Sequence, residues 1–304
     1  MIRIRTNRRL HFGLLAPVPV SELDLVYGGL GVMVDTPGIE VTAEHAGEWH
    51  IQDDDPSTVS RIVHHLKSRF TDLLPLKLEV LRHAPAHQGW GTGTQLALAV
   101  AQACCLAASK PWNAIEMACV TGRGSRSGIG IVGYEQGGFL FDQGKSADGK
   151  VQSPVISIPF PESWTFVLVE PGQEQGLFAE SERSAFSQLQ QAKVEVVRQM
   201  QNIIRDQILH AVQNRQFEIF ARALTEYNRL AGTHYHKVQQ GDYSSELNAT
   251  RLEMMKLAGA IGLGQSSWGP GLFAVFPDEA AAKTFIDSVK LPGCTLRMAK
   301  VKGA

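Results

Sequence analysis

Apolar and charged residues alternate from the first positions, where "IRIRT" has the two-residue period of a half-buried strand. "GGLGVMVDT", "GIEVTAEHA" and "EWHIQ" continue the strand signal with Gly and Pro as punctuation. From Pro56 to residue 73 the apolar positions change to helical spacing, with the proline in the first turn. "LKLEVLRHA" returns to a strand, and Thr94–Ala108 predicts a helix apolar on nearly every side, hence central. A helix over 113–120 precedes "GRGSRSGIGIVGYEQGGFLFD", where glycines separate two expected strands. After "WTFVLVEP", a strand, a long helix is expected over 180–213. Its Val196, Met200, Ile203, Ile204, Ile208 and Val212 share one stripe. Helices over 215–231 and 244–262, the strand "GPGLFAVFP", a helix from Asp278 and the strand "CTLRMAK" complete the pattern. Strands and helices mixed in both halves predict an α/β or α+β protein of two lobes. The Gly-, Ser- and Pro-rich stretch 144–162 marks the boundary, dividing 1–155 from 156–304.

Composition narrows the function more than the fold. The 304 residues are 44% hydrophobic and 19% charged, with net charge −1, so no charge excess points to a nucleic-acid or membrane partner. The beginning of the chain lacks a signal-peptide core and no apolar run reaches a membrane span. Cys104, Cys105, Cys119 and Cys294 have no C-x-x-C spacing and read as free thiols. A cytoplasmic location is expected.

Two glycine-rich segments carry the candidate chemistry. In "PAHQGWGTGTQLALA" (85–99) a strand leads through Gly89, Trp90, Gly91, Thr92, Gly93 and Thr94 into the central helix. Backbone N–H groups at a helix start, with the positive end of its dipole, make an anion cradle. The glycines remove side chains that would block a phosphate, and Thr92 and Thr94 add hydroxyl donors or a magnesium ligand. Lacking a lysine after its last glycine, the loop is not a Walker A motif. A tight turn under a buried helix is the competing reading. "GLGQSSWGPGLFAVF" (262–276) frames Gln265, Ser266 and Ser267 with four glycines, and the pair of loops points to a ligand clasped between lobes.

Together these segments resemble the GHMP superfamily of small-molecule kinases. Pro85, Gly89, Trp90, Gly91, Thr92, Gly93 and Thr94 match its phosphate loop, and Gly264–Gly271 its C-terminal glycine motif. The resemblance implies an α+β, two-lobed GHMP-kinase-like fold. Its N-terminal lobe would be like ribosomal protein S5 domain 2 and its C-terminal lobe ferredoxin-like. Kinase chemistry fits less well. Where mevalonate-type members carry a catalytic aspartate after Ser-Gly-(aliphatic), this chain reads Ser127, Gly128, Ile129, Gly130. Gly93 stands where the kinase loop has its second serine. Glycine accepts no proton, so phosphoryl transfer loses its base.

The chain is more similar to one non-kinase branch, the β-ribofuranosylaminobenzene 5′-phosphate synthases of tetrahydromethanopterin biosynthesis. "RLHFGL" (9–14), the phosphate loop, "GRGSRSGIG" (122–130), "PGQEQGLFAESERSAF" (171–186) and "GQSSWGPGLFAV" (264–275) carry the likeness. That resemblance implies coupling of 4-aminobenzoate or 4-hydroxybenzoate to phosphoribosyl pyrophosphate. Carbon dioxide and pyrophosphate would be released with Mg2+, and the enzyme would be a homodimer.

The chemistry assigns expectations to residues. Residues 89–94 cradle the leaving pyrophosphate, with Thr92 and Thr94 as weak metal ligands. Arg123 and Arg126 orient the benzoate carboxylate or hold the 5′-phosphate, or else pin a loop to a carboxylate. His11 and His87 are catalytic candidates beside these motifs. Arg9, Ser127, Gln265, Ser266 and Ser267 are expected to bind substrate; hydrogen-bonded turns are the alternative for the last three. An ATP-dependent kinase and a non-catalytic binding protein on the same scaffold are the alternative functions.

Overall fold

The computed structural model describes residues 1–84, 88–172, 184–190, 192–239 and 241–303. The opening alternation becomes a long antiparallel pair, β1 (Ile2–Val20) and β2 (Leu25–His45), with register shifts at Arg5/Asn7 and His11/Leu14. These irregularities bend the ribbon, and "GGLGVMVDT" and "GIEVTAEHA", expected as two strands, run together as β2, while "EWHIQ" supplies the next strand. β3 (His50–Gln52), α1 (Pro56–Arg69) and β4 (Leu76–Arg82) form a parallel crossover. Asp55 caps α1 by accepting the Thr58 N–H. Bonds from Ser57 and Thr58 hold its carboxyl down to about 2.

The central helix is α2 (Thr92–Ala107), buried over most of its length against β1 and β2. α3 (Ala114–Val120) follows. The next segment corrects the sequence reading: Ile129–Gln136 is a helix, α4, where a strand was expected. A short apolar run does not distinguish the two by period. Contacts decide, because Gly133 lets α4 lie against Met33 and Leu140 where any Cβ would overlap. β5 (Phe139–Asp142) and β6 (Val155–Ile158) complete a sheet of order β3-β4-β2-β5-β6, with β1 on β2.

The chain enters the second sheet at β7 (Thr165–Pro171). The crossing therefore lies beyond β6, a few residues after the expected boundary at 155. α5 (Val194–Asn202) continues through a π-helical stretch, Ile203–Leu209, to a last turn, His210–Gln213. It starts later than the expected 180, and residues 173–183 lie outside the described residues. α6 (Phe217–Thr233), α7 (Glu246–Leu257), β8 (Gly262–Gln265), β9 (Leu272–Phe276), α8 (Glu279–Ser288) and β10 (Cys294–Ala299) follow. The antiparallel order β10-β7-β9-β8 is ferredoxin-like.

One apolar cluster runs through both lobes, from Leu10 and Phe12 to Phe166, Phe220 and Phe273. Across the same seam Arg8 donates to Glu170 at 2.5 Å, and Arg297 lies 3.1 Å from that carboxylate. Among the described residues no helix is long and apolar enough to cross a membrane.

Candidate active site

β1, the 88–94 loop, the 122–127 loop and the turn after β8 converge on a cleft of about 310 Å³. Gly91 adopts a left-handed φ of 72° and hands the chain to α2, whose first residues line the cleft. The Thr94 and Gln95 N–H groups turn back onto the Gly91 carbonyl, and those of Thr92 and Gly93, ahead of the first helical bond, are the donors this terminus can offer an anion. Its glycines do more than clear space for a phosphate. A Cβ on Gly91 would stand 3.0 Å from Arg9 Nε, and one on Gly93 3.2 Å from Arg123 Nη1. Two guanidinium groups thus lie against the glycines of the loop. Gly130 also faces inward: its Cβ would meet Thr94 and Arg9 at 3.5 and 3.6 Å.

The two glycine loops clasp one another. Gly89 has φ 87°, and a Cβ there would fall 2.0 Å from the Ser266 carbonyl oxygen. A Cβ on Gly269 would collide with the Gln88–Gly89 backbone. Ser266 is wholly buried; its hydroxyl donates to Gly89 O (2.8 Å) and accepts the His11 N–H (3.1 Å). Gln265 accepts from Ser244 N and donates to Ser267 O. Trp90 is buried, its indole N–H on Gln88 and its carbonyl on the Arg9 N–H. Gln265, Ser266 and Trp90 therefore brace the cleft and do not line it, against the expectation that they contact ligand. Ser267 does line it, at φ 57°, its N–H on His11 O.

His11 and Ser127 are brought together, but as partners of each other. The Gly13 N–H donates to His11 Nδ1 at 3.1 Å, so the neutral ring carries its proton on Nε2. That N–H points to Ser127 Oγ, 3.1 Å away. Burial first, and the Arg9 charge second, hold the imidazole well below its ordinary value, hence neutral. Ser127 in turn donates to Asp142, a buried residue that sequence reasoning missed. Asp142 also accepts the N–H groups of Gly128 (2.7 Å) and Gly144 (2.9 Å). Burial raises its carboxyl above the usual range against these bonds and the Lys145 charge. The only sequence signal was an acid ending a strand. His87 lies outside the described residues.

Arg126 stacks over Phe186, with Cζ 3.7 Å from the ring centroid. Phe186 meets Trp268 (5.3 Å) and Tyr235 (6.1 Å), which contact each other at 4.5 Å. These aromatics line the same cleft and come from segments too distant in sequence to form a motif. Among the described residues lining the cleft there are three arginines and no carboxylate. Nor do the described residues include a cluster of three His, Cys, Asp or Glu able to hold a metal.

Known proteins resemble this chain in sequence and in fold. The family model described as GHMP kinases C terminal matches residues 208–293. The β-ribofuranosylphenol 5′-phosphate synthase of Methanothermobacter thermautotrophicus is 27% identical over 306 positions, covering 91% of this chain and 89% of the relative. The synthase of Archaeoglobus fulgidus is 28% identical, covering 92% and 89%. The chain is a homologue of these synthases. Solved structures show the fold as GHMP-kinase-like over the whole chain. Phosphomevalonate kinase of Streptococcus pneumoniae superposes with TM-score 0.72 at 12% identity, covering 99% of each chain. Homoserine kinase of Cytophaga hutchinsonii gives 0.68 at 14%, covering 99% and 94%. The chain thus shares the kinase architecture, with Gly130 packed behind Thr94 and Arg9 where the resemblance to mevalonate-type kinases puts an aspartate.

Proposed function

We propose that the protein is a cytoplasmic enzyme of tetrahydromethanopterin biosynthesis that joins phosphoribosyl pyrophosphate to a para-substituted benzoate. The ribose C1–O bond to pyrophosphate breaks, and the ring carbon bearing the carboxylate bonds to C1. The C–CO2 bond then breaks, returning its electron pair to the ring and restoring aromaticity. No proton passes to or from the protein in these steps. One observation carries the reading: the described lining is strongly cationic, contains no carboxylate, and locks its imidazole between Gly13 and Ser127. Such a lining would stabilise a departing polyanion, and among the described residues it offers no carboxylate base for phosphoryl transfer to an alcohol.

The first turn of α2, Arg9 and Arg123 receive the pyrophosphate, and Arg126 orients the benzoate carboxylate. A cleft of arginines and threonine hydroxyls fits Mg2+ carried in on pyrophosphate rather than a resident ion, since Mg2+ is commonly bound through one or two groups plus substrate phosphates. Thr92 and Thr94 would supply the hydroxyls beside it, and the metal would neutralise leaving-group charge. The relatives are named for a phenol product, which favours 4-hydroxybenzoate as acceptor here. A homodimer, implied by the family resemblance, is checked by sedimentation velocity.

The test is direct. Protein, phosphoribosyl pyrophosphate, Mg2+ and carboxyl-labelled 4-hydroxybenzoate or 4-aminobenzoate should release labelled CO2 with stoichiometric pyrophosphate. Absence of release, with ADP formed from ATP and a small alcohol, would overturn the proposal in favour of a kinase. Tight binding of phosphoribosyl pyrophosphate with neither reaction would leave a binding protein.

A further inference from the structure

The cleft lining combines two chemistries. Helix N–H groups come with Arg9 and Arg123, and an aromatic wall with Phe186, Trp268 and Tyr235. The wall belongs to neither lobe core. Tyr235 and Trp268 form their own small cluster with Ala185, against which Phe186 packs, yet all three aromatics border the cleft. Its shape is held by polar bonds: Ser267, at φ 57°, is tied to His11 O and Gln265 Nε2 and sets Trp268 beside Tyr235. A ribose phosphate has little use for three aromatic side chains, whereas a planar arene gains from offset or edge-to-face contact with them beyond the area it buries.

Arg126 brings its charge to the aromatic wall. Its guanidinium Cζ lies 3.7 Å from the Phe186 centroid, a contact that steadies the group. A benzoate meeting the wall with its ring would have that cation beside it. We infer that Phe186, Trp268 and Tyr235 form the acceptor subsite, selecting planar aromatic carboxylates while the glycine loop and its arginines bind the phosphoribosyl donor. The assignment rests on the reaction proposed above, whose acceptor is such an acid. It adds the residues that recognise the ring and a selectivity that arginines alone would not give.

Fluorescence tests this without turnover, because Trp268 lies in the wall. Titration of the intact protein with 4-hydroxybenzoate should quench emission, and Trp268→Phe should remove that quench. Cyclohexanecarboxylate should bind at least about tenfold more weakly than benzoate. Phe186→Ala should weaken 4-hydroxybenzoate binding roughly tenfold while calorimetric binding of phosphoribosyl pyrophosphate stays within about twofold. Phe186→Leu, which keeps apolar bulk without a ring, should show a smaller loss of the same kind. Unchanged 4-hydroxybenzoate affinity in both Phe186 variants, equal loss of both ligands, or equal affinity for benzoate and cyclohexanecarboxylate would each overturn the subsite. Phe186-dependent quenching in a wild-type protein that releases no CO2 would keep the subsite and remove the reaction.

Discussion

Two helix N-termini meet the same part of the molecule, and they are finished in opposite ways. At α4 the protein supplies its own anion. Asp142 accepts the Gly128 N–H, and Ser127 Oγ accepts the Ile129 N–H at 3.3 Å. At α2 the residues around the terminus are glycines and threonines, with arginines laid against Gly91 and Gly93. A helix start favours negative charge wherever it comes from. The filled terminus is a piece of scaffold, and in the proposed reaction the open one would be the receptor. They are linked, because Asp142 fixes the end of the 122–127 loop that carries Arg123 to Gly93 and Arg126 to Phe186. Lys145 holds the middle of that loop through the Ser125 carbonyl at 2.8 Å.

The most damaging change should remove what the filled terminus delivers to the open one. Arg126→Ala is expected to lower turnover roughly 10³-fold, the scale for deleting one group that stabilises transition-state charge. Its melting temperature should stay near wild type, because Arg126 rests on the edge of a satellite cluster. Steady-state kinetics beside a thermal melt decides this, and near-normal kcat would exclude Arg126 from the site.

A smaller but more pointed effect comes from giving the open terminus an internal anion, as the other has. Gly130→Asp would set a carboxylate between Thr94 and Arg9, in space a Cβ enters at ordinary contact distances. Repulsion at about 5 Å and effective dielectric near 20 is worth about 3 kcal/mol, so phosphoribosyl pyrophosphate should bind roughly 10²-fold more weakly. Gly130→Ala is the control and should bind nearly as wild type. Calorimetric titration of all three proteins measures the difference, and unaltered affinity in the Asp variant would show that phosphate sits elsewhere.

These sites were unequally legible in the sequence. Gly89–Thr94 could be read because a strand, glycine alternation and an apolar helix stand consecutively. Arg9, His11, Arg123 and Arg126 lie beside motifs, and the fold brings all four to one cleft. Orientation was harder. Ser266 and Ser267 are adjacent and look equivalent, yet one hydroxyl ties the glycine loops together while the next residue lines the cleft. Ile129–Gln136 looks like a strand in sequence because Ile129, Ile131 and Val132 are β-branched and favour strands locally; the acid that ties down its start is Asp142, beyond the helix it closes. The aromatic wall needs Phe186, Tyr235 and Trp268 in contact, which is a tertiary fact with no local period.

Emptying the filled terminus should affect stability before binding. Both Asp142 oxygens accept backbone N–H groups, so Asp142→Asn sets an amide N–H2 against one of those donors. An unsatisfied buried donor costs about 1–3 kcal/mol, and urea unfolding at pH 7.5 should show that loss. If the relay orients the loop, kcat should fall in this variant more than affinity for phosphoribosyl pyrophosphate does. The His11 tautomer, read by nitrogen NMR, should also become mixed. An unchanged tautomer with unchanged kcat would reduce Asp142 to a helix cap.

The gentlest perturbation is protonation, and it too separates the two ends. Arginines at the open terminus keep their charge throughout the accessible range. At the filled terminus burial depresses His11 well below 6.5, so below that pH the unfolded chain binds a proton that the folded protein resists. The sign follows: this contribution is complete above about pH 6.5 and is lost as pH falls toward the folded value, at up to about 1.4 kcal/mol per pH unit. His234, held down to about 4 by burial, acts in the same direction. Asp142, raised by burial, acts oppositely over the range just above its unfolded value. His11→Asn keeps an acceptor for the Gly13 N–H and removes the titration. Between pH 7 and 5 its unfolding free energy should therefore fall less steeply than that of wild type, by up to about 1.4 kcal/mol per pH unit. Parallel slopes in urea denaturation would mean that His11 is not the buried neutral base of the filled terminus.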